Sequence, residues 1–104
     1  MGVAAYRKED FTRIEWLCDE ICKVVTLNQP TADAVANAMI MERMHWICDQ
    51  ITPLVHTPFA VRRVQELRAL VIQGYGVRAK AYSDIPGTIR ILAHGISTAA
   101  RDQR

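Results

Sequence analysis

Apolar residues recur every three or four positions along most of this chain, which is the period of an α-helix that buries one face. The longest apolar-rich stretch is 31–52, TADAVANAMIMERMHWICDQIT. No stretch shows the two-residue alternation that indicates a β-strand. The pattern therefore predicts an all-α fold, a single-domain bundle of four main helices, with room for a short fifth helix at 77–82.

The first predicted helix spans 8–25 and separates an apolar face from a charged one. Its apolar face carries Phe11, Ile14, Cys18, Ile21 and Val25. Trp16 breaks the pattern, because it projects from the middle of the charged face. Two interpretations are open: the indole is covered by long basic side chains or by the N-terminal arm, or it is an exposed anchor for a partner, since tryptophan is enriched at binding hot spots.

The second predicted helix, 31–52 with Thr31 as its N-cap, has two separated apolar strips. The strip predicted to face the core consists of Ala36, Ile40, Met44, Ile47 and Ile51. The other, which we call the outer strip, consists of Val35, Met39 and Trp46. In a four-helix monomer both strips can pack against neighbouring helices. Otherwise the outer strip faces a partner, and methionine suits such a surface because its side chain adapts to irregular shapes.

Proline and glycine mark the remaining boundaries. Pro53 should end the second helix. Thr57-Pro58 is a start signal, an N-cap followed by proline at the first helical position, and the third helix should stop at the glycines of 74–76. Ser83 or Asp84 should cap the last helix, whose apolar face includes Ile85, Ile89, Leu92 and Ile96.

The length and composition of the chain indicate one small domain with a large share of apolar residues. The chain has 104 residues, of which 50% are hydrophobic, and a net charge of +2. A domain of this length buries a limited fraction of its surface, so this composition predicts exposed apolar area of the kind that mediates self-association or protein binding. We expect flexible tails at 1–7 and 101–104, and no internal repeat.

The predicted compartment is the cytoplasm. The first ten residues lack the apolar core of a signal peptide, and no run approaches the roughly 18 apolar residues of a membrane span. The three cysteines, Cys18, Cys22 and Cys48, form an odd set in helical surroundings, which is typical of reduced thiols.

Metal binding and catalysis have little support in the sequence. Cys18 and Cys22 are four residues apart, but they lie in the apolar face of the first helix, where cysteine usually acts as a small hydrophobe. The best catalytic set is His45 with Glu42 and Asp49, which are neighbours on one helix face. A solvated polar stripe is the favoured explanation of these three residues. We therefore predict no metal, no cofactor and no enzymatic activity.

A small helix-turn-helix-like nucleic-acid-binding protein is the alternative hypothesis. LAHGISTAAR at 92–101 has the small residues of a turn followed by a Ser/Thr helix start, and GYGVRAKAY at 74–82 is a second candidate turn. A basic patch could be formed by Arg62, Arg63, Arg68, Arg78, Lys80 and Arg90. The mild net charge argues against a dedicated nucleic-acid binder.

The function that the sequence favours is protein binding without catalysis. We expect a small regulator or inhibitor, of the kind exemplified by bacterial or phage anti-activators, that docks an apolar helix face on a partner protein and forms a homodimer. The predicted partner-binding residues are Trp16, Val35, Met39, Arg43 and Trp46.

Overall fold

The computed structural model describes residues 6–76 and 84–102, and in them the chain is almost entirely helical. The helices are α1 (Lys8–Leu27), α2 (Ala34–Ile51), α3 (Pro58–Tyr75) and α4 (Ile85–Asp102), with a 3-10 turn at Thr52–Leu54 after α2. The described residues contain no strand. The predicted all-α fold with four main helices is confirmed, and the candidate fifth helix at 77–82 lies outside the described residues.

The four helices form a closed ring in which each packs on its two neighbours. α1 contacts α2 and α4, and α3 contacts the same two helices from the other side. α1 and α4 are antiparallel, because Arg90 lies beside Thr26 while Arg101 lies beside Glu15. Contact between α1 and α2 is the least extensive of the four neighbouring pairs. The seam between these two helices is therefore the most open side of the bundle.

The core is built from one face of each helix, as the hydrophobic pattern predicts. Burying an aliphatic side chain fully stabilises the fold by about 1.5–3 kcal/mol, so these faces hold the bundle together. Fully or almost fully buried positions include Ile14, Leu17, Ile21 and Val25 of α1; Met44, Ile47 and Ile51 of α2; Ala60, Val64, Leu67 and Val71 of α3; and Ile89, Ala93 and Ile96 of α4.

The start of α2 differs from the prediction. Asp33, and not Thr31, is the N-cap: its carboxylate accepts hydrogen bonds from the amides of Val35 and Ala36 at 3.0 and 3.2 Å. Thr31 is held in the connecting loop by the buried Asn37, whose side chain donates to the Thr31 carbonyl at 2.8 Å and accepts from its amide at 3.0 Å. With both backbone groups of Thr31 bound by Asn37, the N-cap lies two residues later than predicted.

Tyr6 ties the segment before α1 to the start of α3, although it belongs to the region 1–7 for which we expected a flexible tail. Its ring is buried and stacks on His56 with 4.0 Å between the ring centroids. Its hydroxyl accepts hydrogen bonds from the amides of His56 and Thr57 and is 2.9 Å from the Thr57 hydroxyl. Tyr6 thus satisfies backbone amides at the N-terminus of α3, and Thr57 makes no side-chain cap of its own.

α3 ends within the predicted stop at 74–76, with Gly76 as its C-cap, and Gly74 itself lies inside the helix. A Cβ at Gly74 would lie 2.7 Å from Cγ2 of Ile85, so the glycine allows the end of α3 to approach the start of α4 closely. The helix continues to Tyr75, and the amide of Gly76 donates to the Ile72 carbonyl at 2.8 Å. The Tyr75 hydroxyl donates to the Asn28 carbonyl at 2.6 Å, which anchors this end to the α1–α2 loop.

Candidate protein-binding groove

An apolar groove of about 590 Å³ lies along the open seam between α1 and α2. Its walls are formed by Trp16, Met39 and Trp46, and the buried side chains of Leu17 and Ile47 line its floor. We call this surface the Trp groove. Both tryptophans of the chain line it, although they are 30 residues apart in sequence.

Trp16 is partly covered by Arg13 and partly exposed. The guanidinium of Arg13 lies 5.0 Å from the centre of the indole ring, which is within the range of a cation–π contact. The side chain nevertheless keeps 49% of its surface exposed. Residues 1–5 are outside the described part of the chain, so the proposed cover by an N-terminal arm concerns residues that are not described. Trp16 therefore remains an accessible aromatic surface beside Arg13.

The outer strip of α2 is exposed in the monomer. Val35, Met39 and Trp46 keep 71%, 66% and 56% of their surface accessible. The hypothesis that both apolar strips pack against neighbouring helices is therefore wrong, because the outer strip stays exposed although α2 contacts both α1 and α3. Met39 and Trp46 face the groove, whereas Val35 in the first turn of α2 is not among its lining residues.

Charged groups surround the apolar centre of the groove. Glu20, Glu42 and Arg43 contribute to its lining, and the ammonium of Lys23 lies 3.5 Å from the Glu20 carboxylate. An exposed pair of this kind contributes at most about 1 kcal/mol to stability. An apolar centre with a mixed-charge rim is the usual layout of a protein–protein interface. Of the five predicted partner-binding residues, Trp16, Met39, Arg43 and Trp46 line one groove.

The cysteines of α1 and α2 are held as neutral thiols. Burial raises the pKa of Cys18 to about 12 and that of Cys48 to about 11, and desolvation also raises the pKa of the half-buried Cys22. The thiolate is the form that attacks electrophiles and binds metals, so these thiols are poorly suited to either role at neutral pH. In 6–76 and 84–102, no group of three or more His, Cys, Asp or Glu side chains could hold a metal ion.

The catalytic candidates make different contacts although they share one face of α2. Asp49 accepts a hydrogen bond from Arg68 of α3 at 2.7 Å, and the same guanidinium donates to Thr52 at 3.0 Å. Glu42 lines the Trp groove, whereas His45 and Asp49 are not among the lining residues of that groove. The Trp groove therefore does not bring the three side chains together.

Among the described residues, the turn within 92–101 and part of the basic patch that suggested nucleic-acid binding are not formed. α4 runs without interruption from Ile85 to Asp102, so the turn predicted within 92–101 does not exist. The second candidate, 74–82, begins inside α3 and then continues outside the described residues. Among the basic side chains, Arg68 binds α2 and Arg90 binds Thr26 of α1. These two arginines lie on different seams, so they do not form one basic surface.

A short repeat underlies the Trp groove, contrary to the expectation that the chain has none. RIEWLCDEI at 13–21 and RMHWICDQI at 43–51 share Arg, Trp, Cys, Asp and Ile at the same positions. Their burial also matches: the tryptophans are exposed, and the equivalent pairs Leu17/Ile47 and Cys18/Cys48 are buried. The signal that reveals it is the spacing of tryptophan, cysteine and aspartate, which is identical in both helices.

The repeat gives the groove an approximate two-fold axis. α1 and α2 are antiparallel, because the end of α1 at Leu27 and the start of α2 at Ala36 line one cavity. A half-turn about an axis between them therefore exchanges the two nine-residue segments. Trp16 exchanges with Trp46 and Leu17 with Ile47, and all four line the groove. The other residues that line the groove, Glu20, Met39, Glu42 and Arg43, have no equivalent within its lining, so the two-fold relation is limited to the centre.

Comparison with known proteins assigns no role to this groove. No protein-family model, curated protein or solved structure matches the chain. In the described residues, none of the helices combines the length and the apolar character needed to cross a membrane. A function for the chain is therefore inferred from its own residues.

Proposed function

We propose that this protein is a small non-enzymatic regulator or inhibitor that binds a partner protein through the Trp groove, and that it acts as a homodimer. The observation that supports this proposal is that two half-exposed indoles, Trp16 and Trp46, lie together in one groove between antiparallel helices. Tryptophan at the centre of an interface contributes more binding energy than most other residues.

The exposed aromatic area is concentrated in one place. An aromatic side chain can bury about 150–250 Å², so two half-exposed indoles offer on the order of 150–250 Å² to a partner. Met39 adds flexible apolar surface beside them. Contiguous apolar patches on a protein surface often mark a binding site.

The shape of the groove favours an amphipathic helix as the docking element of the partner. A channel between two helices accepts a third helix whose apolar residues recur at three- and four-residue spacing. The rim residues Glu20, Glu42 and Arg43 present both signs of charge. They would set the orientation and the association rate of the partner more than its affinity. Such a protein inhibits by covering a surface that its partner needs, and no chemical step is required.

Comparative capture of partners tests the proposal. Tagged wild-type protein, Trp46→Ala, Met39→Asp and a control variant Ile72→Asp are used as baits, because Ile72 is a similarly exposed apolar residue on α3. We expect the same partner to be recovered by the wild type and the control. Binding should weaken by roughly 30-fold or more in Trp46→Ala, the effect of losing a hot spot of about 2 kcal/mol.

Circular dichroism of the four proteins is the necessary companion measurement. The groove variants should keep the helicity of the wild type, because the substituted side chains are more than half exposed. Partner recovery that is equal for all four baits would contradict the proposal. So would unfolding of Met39→Asp or Trp46→Ala, since it would show that these residues belong to the core.

A further inference from the structure

We propose that a second copy of this chain occupies the Trp groove in the isolated protein, so that α1 and α2 of the two copies pack face to face. This inference rests on the proposed function and deepens it by naming the occupant of the same site in the resting homodimer, which a partner protein would displace. It rests on the local two-fold axis of the groove, on its charge balance and on the area of the α1–α2 face.

The symmetry of the groove makes it compatible with itself. In a two-fold dimer the same patch is used by both subunits, so each group must fit its counterpart in the other copy. Here the centre of the patch is already duplicated within one chain, because Trp16 and Leu17 have equivalents in Trp46 and Ile47. The indoles and the aliphatic floor are therefore presented alike in either orientation of the second copy, whereas Met39 is not duplicated, because Glu9 stands at the equivalent position of α1.

The charges around the groove allow two copies to approach. Three positive side chains, Arg13, Lys23 and Arg43, and two negative ones, Glu20 and Glu42, lie on or beside the groove. A rim of one sign would repel its own copy, because like charges placed opposite each other are unfavourable across an interface. This rim is nearly balanced, so association of identical faces meets little net repulsion.

The area of the α1–α2 face is sufficient for a small dimer. α2 has 18 residues and is therefore about 27 Å long, and two adjacent helices are together roughly 20 Å wide. The projected face is roughly 500 Å², and its accessible area is larger because the side chains are corrugated. A stable interface buries about 800 Å² on each partner, which is of the same order. The exposed indoles would supply the apolar centre of this interface.

The two tryptophans provide a direct readout, because the chain has no others. Molar mass is measured by sedimentation across a wide concentration range, and indole emission and acrylamide quenching are followed on the same samples. We expect a dimer whose dissociation on dilution shifts the emission to longer wavelength and increases the quenching. A dimer whose dissociation leaves the indole signal unchanged would overturn the inference, as would a monomer at all concentrations.

Two variants identify the face that is used. Met39→Asp should raise the dissociation constant of the dimer by at least 30-fold, which is roughly the effect of losing one hot spot. The substitution is present in both subunits of a symmetric dimer, so its effect counts twice. Ile91→Asp is the matched control, because Ile91 is equally apolar and exposed but belongs to α4. We expect it to remain a dimer with the helicity of the wild type. A dimer that survives Met39→Asp and dissociates with Ile91→Asp would place the interface on α4 and overturn the inference.

The inference and the proposed function fail in different ways. A monomeric protein that still captures a partner through the groove would refute the second copy as occupant and the homodimer, and would leave partner binding through the groove standing. A dimer that buries its indoles and captures no other protein would support the second copy as occupant and refute partner binding through the groove.

Discussion

The two seams α1–α2 and α3–α4 show how side-chain size decides whether two neighbouring helices leave a groove or approach closely. Between α1 and α2 the outward positions carry Trp16, Met39 and Trp46, and the seam remains an open groove. Between α3 and α4 the corresponding space is closed at one end by Gly74, which admits the Ile85 side chain. The first seam presents anchors to the outside, whereas the second brings two helices together.

The α3–α4 seam also opens, but at its other end and with different chemistry. A depression of about 440 Å³ there is lined by Phe59, Ile91 and Gly95, among others. The Phe59 ring is half-exposed, and the guanidinium of Arg63 lies 4.6 Å from its centre and also binds Glu66 at 2.7 Å. A Cβ at Gly95 would contact nothing within 4 Å. This depression thus lacks the pair of facing aromatic anchors that defines the Trp groove.

The largest expected effect concerns the thiols of the α1–α2 half. Burial raises the pKa of Cys18 and Cys48 from 9.0 to about 12 and about 11, so the folded state keeps protons that the unfolded state loses above pH 9. The contribution of the two buried thiols to stability is therefore fully present below pH 9, and it is lost as the pH rises toward 11–12. Between pH 8 and 10.5 the free energy of unfolding should fall on the order of 2–4 kcal/mol.

Chemical denaturation at several pH values measures this slope, and substitution identifies its source. Cys18→Ala and Cys48→Ala lower stability at every pH because they leave cavities, but each should also flatten the fall above pH 9. Tyr75, whose pKa is raised by burial to about 12 from 10.0, contributes only above pH 10. A double cysteine variant with the slope of the wild type would show that the thiols are not the cause.

A smaller effect is expected at the closed end of the α3–α4 seam. Gly74→Ala places a methyl group 2.7 Å from Ile85 Cγ2, and such overpacking costs about 1–3 kcal/mol. Alanine regains up to about 1 kcal/mol of helix propensity, so a net loss of about 1 kcal/mol is expected in urea denaturation. Combining it with Ile85→Ala should show a favourable coupling between the two sites. Additive effects would mean that the close approach does not constrain this seam.

The smallest effect is a gain of stability at Gly95, in the open end of the same seam. Because a Cβ there meets open space, Gly95→Ala should raise the free energy of unfolding by about 0.5–1 kcal/mol through helix propensity alone. It serves as the matched control for Gly74→Ala, since both replace a glycine in a helix. A loss of stability would show that this end of the seam is closed in solution.

Several parts of the site could be read from the sequence because they depend on one helix at a time. The three- and four-residue spacing on α2 separated the core strip, with Met44 and Ile47, from the outer strip, with Met39 and Trp46. The start of α2 was misplaced because the buried Asn37 holds Thr31 in the loop. That contact joins residues whose side chains meet only once the loop is folded.

The sequence by itself determined the helical class, the approximate bounds of the helices and the face that each one buries, because periodicity and turn residues act over a few neighbouring positions. The tertiary structure alone decided that α1 and α2 lie side by side with their tryptophans in one groove. It also decided that Gly74 admits Ile85 and that Asp49 pairs with Arg68. Each of these depends on how two helices are placed against each other, which no property of a single helix specifies.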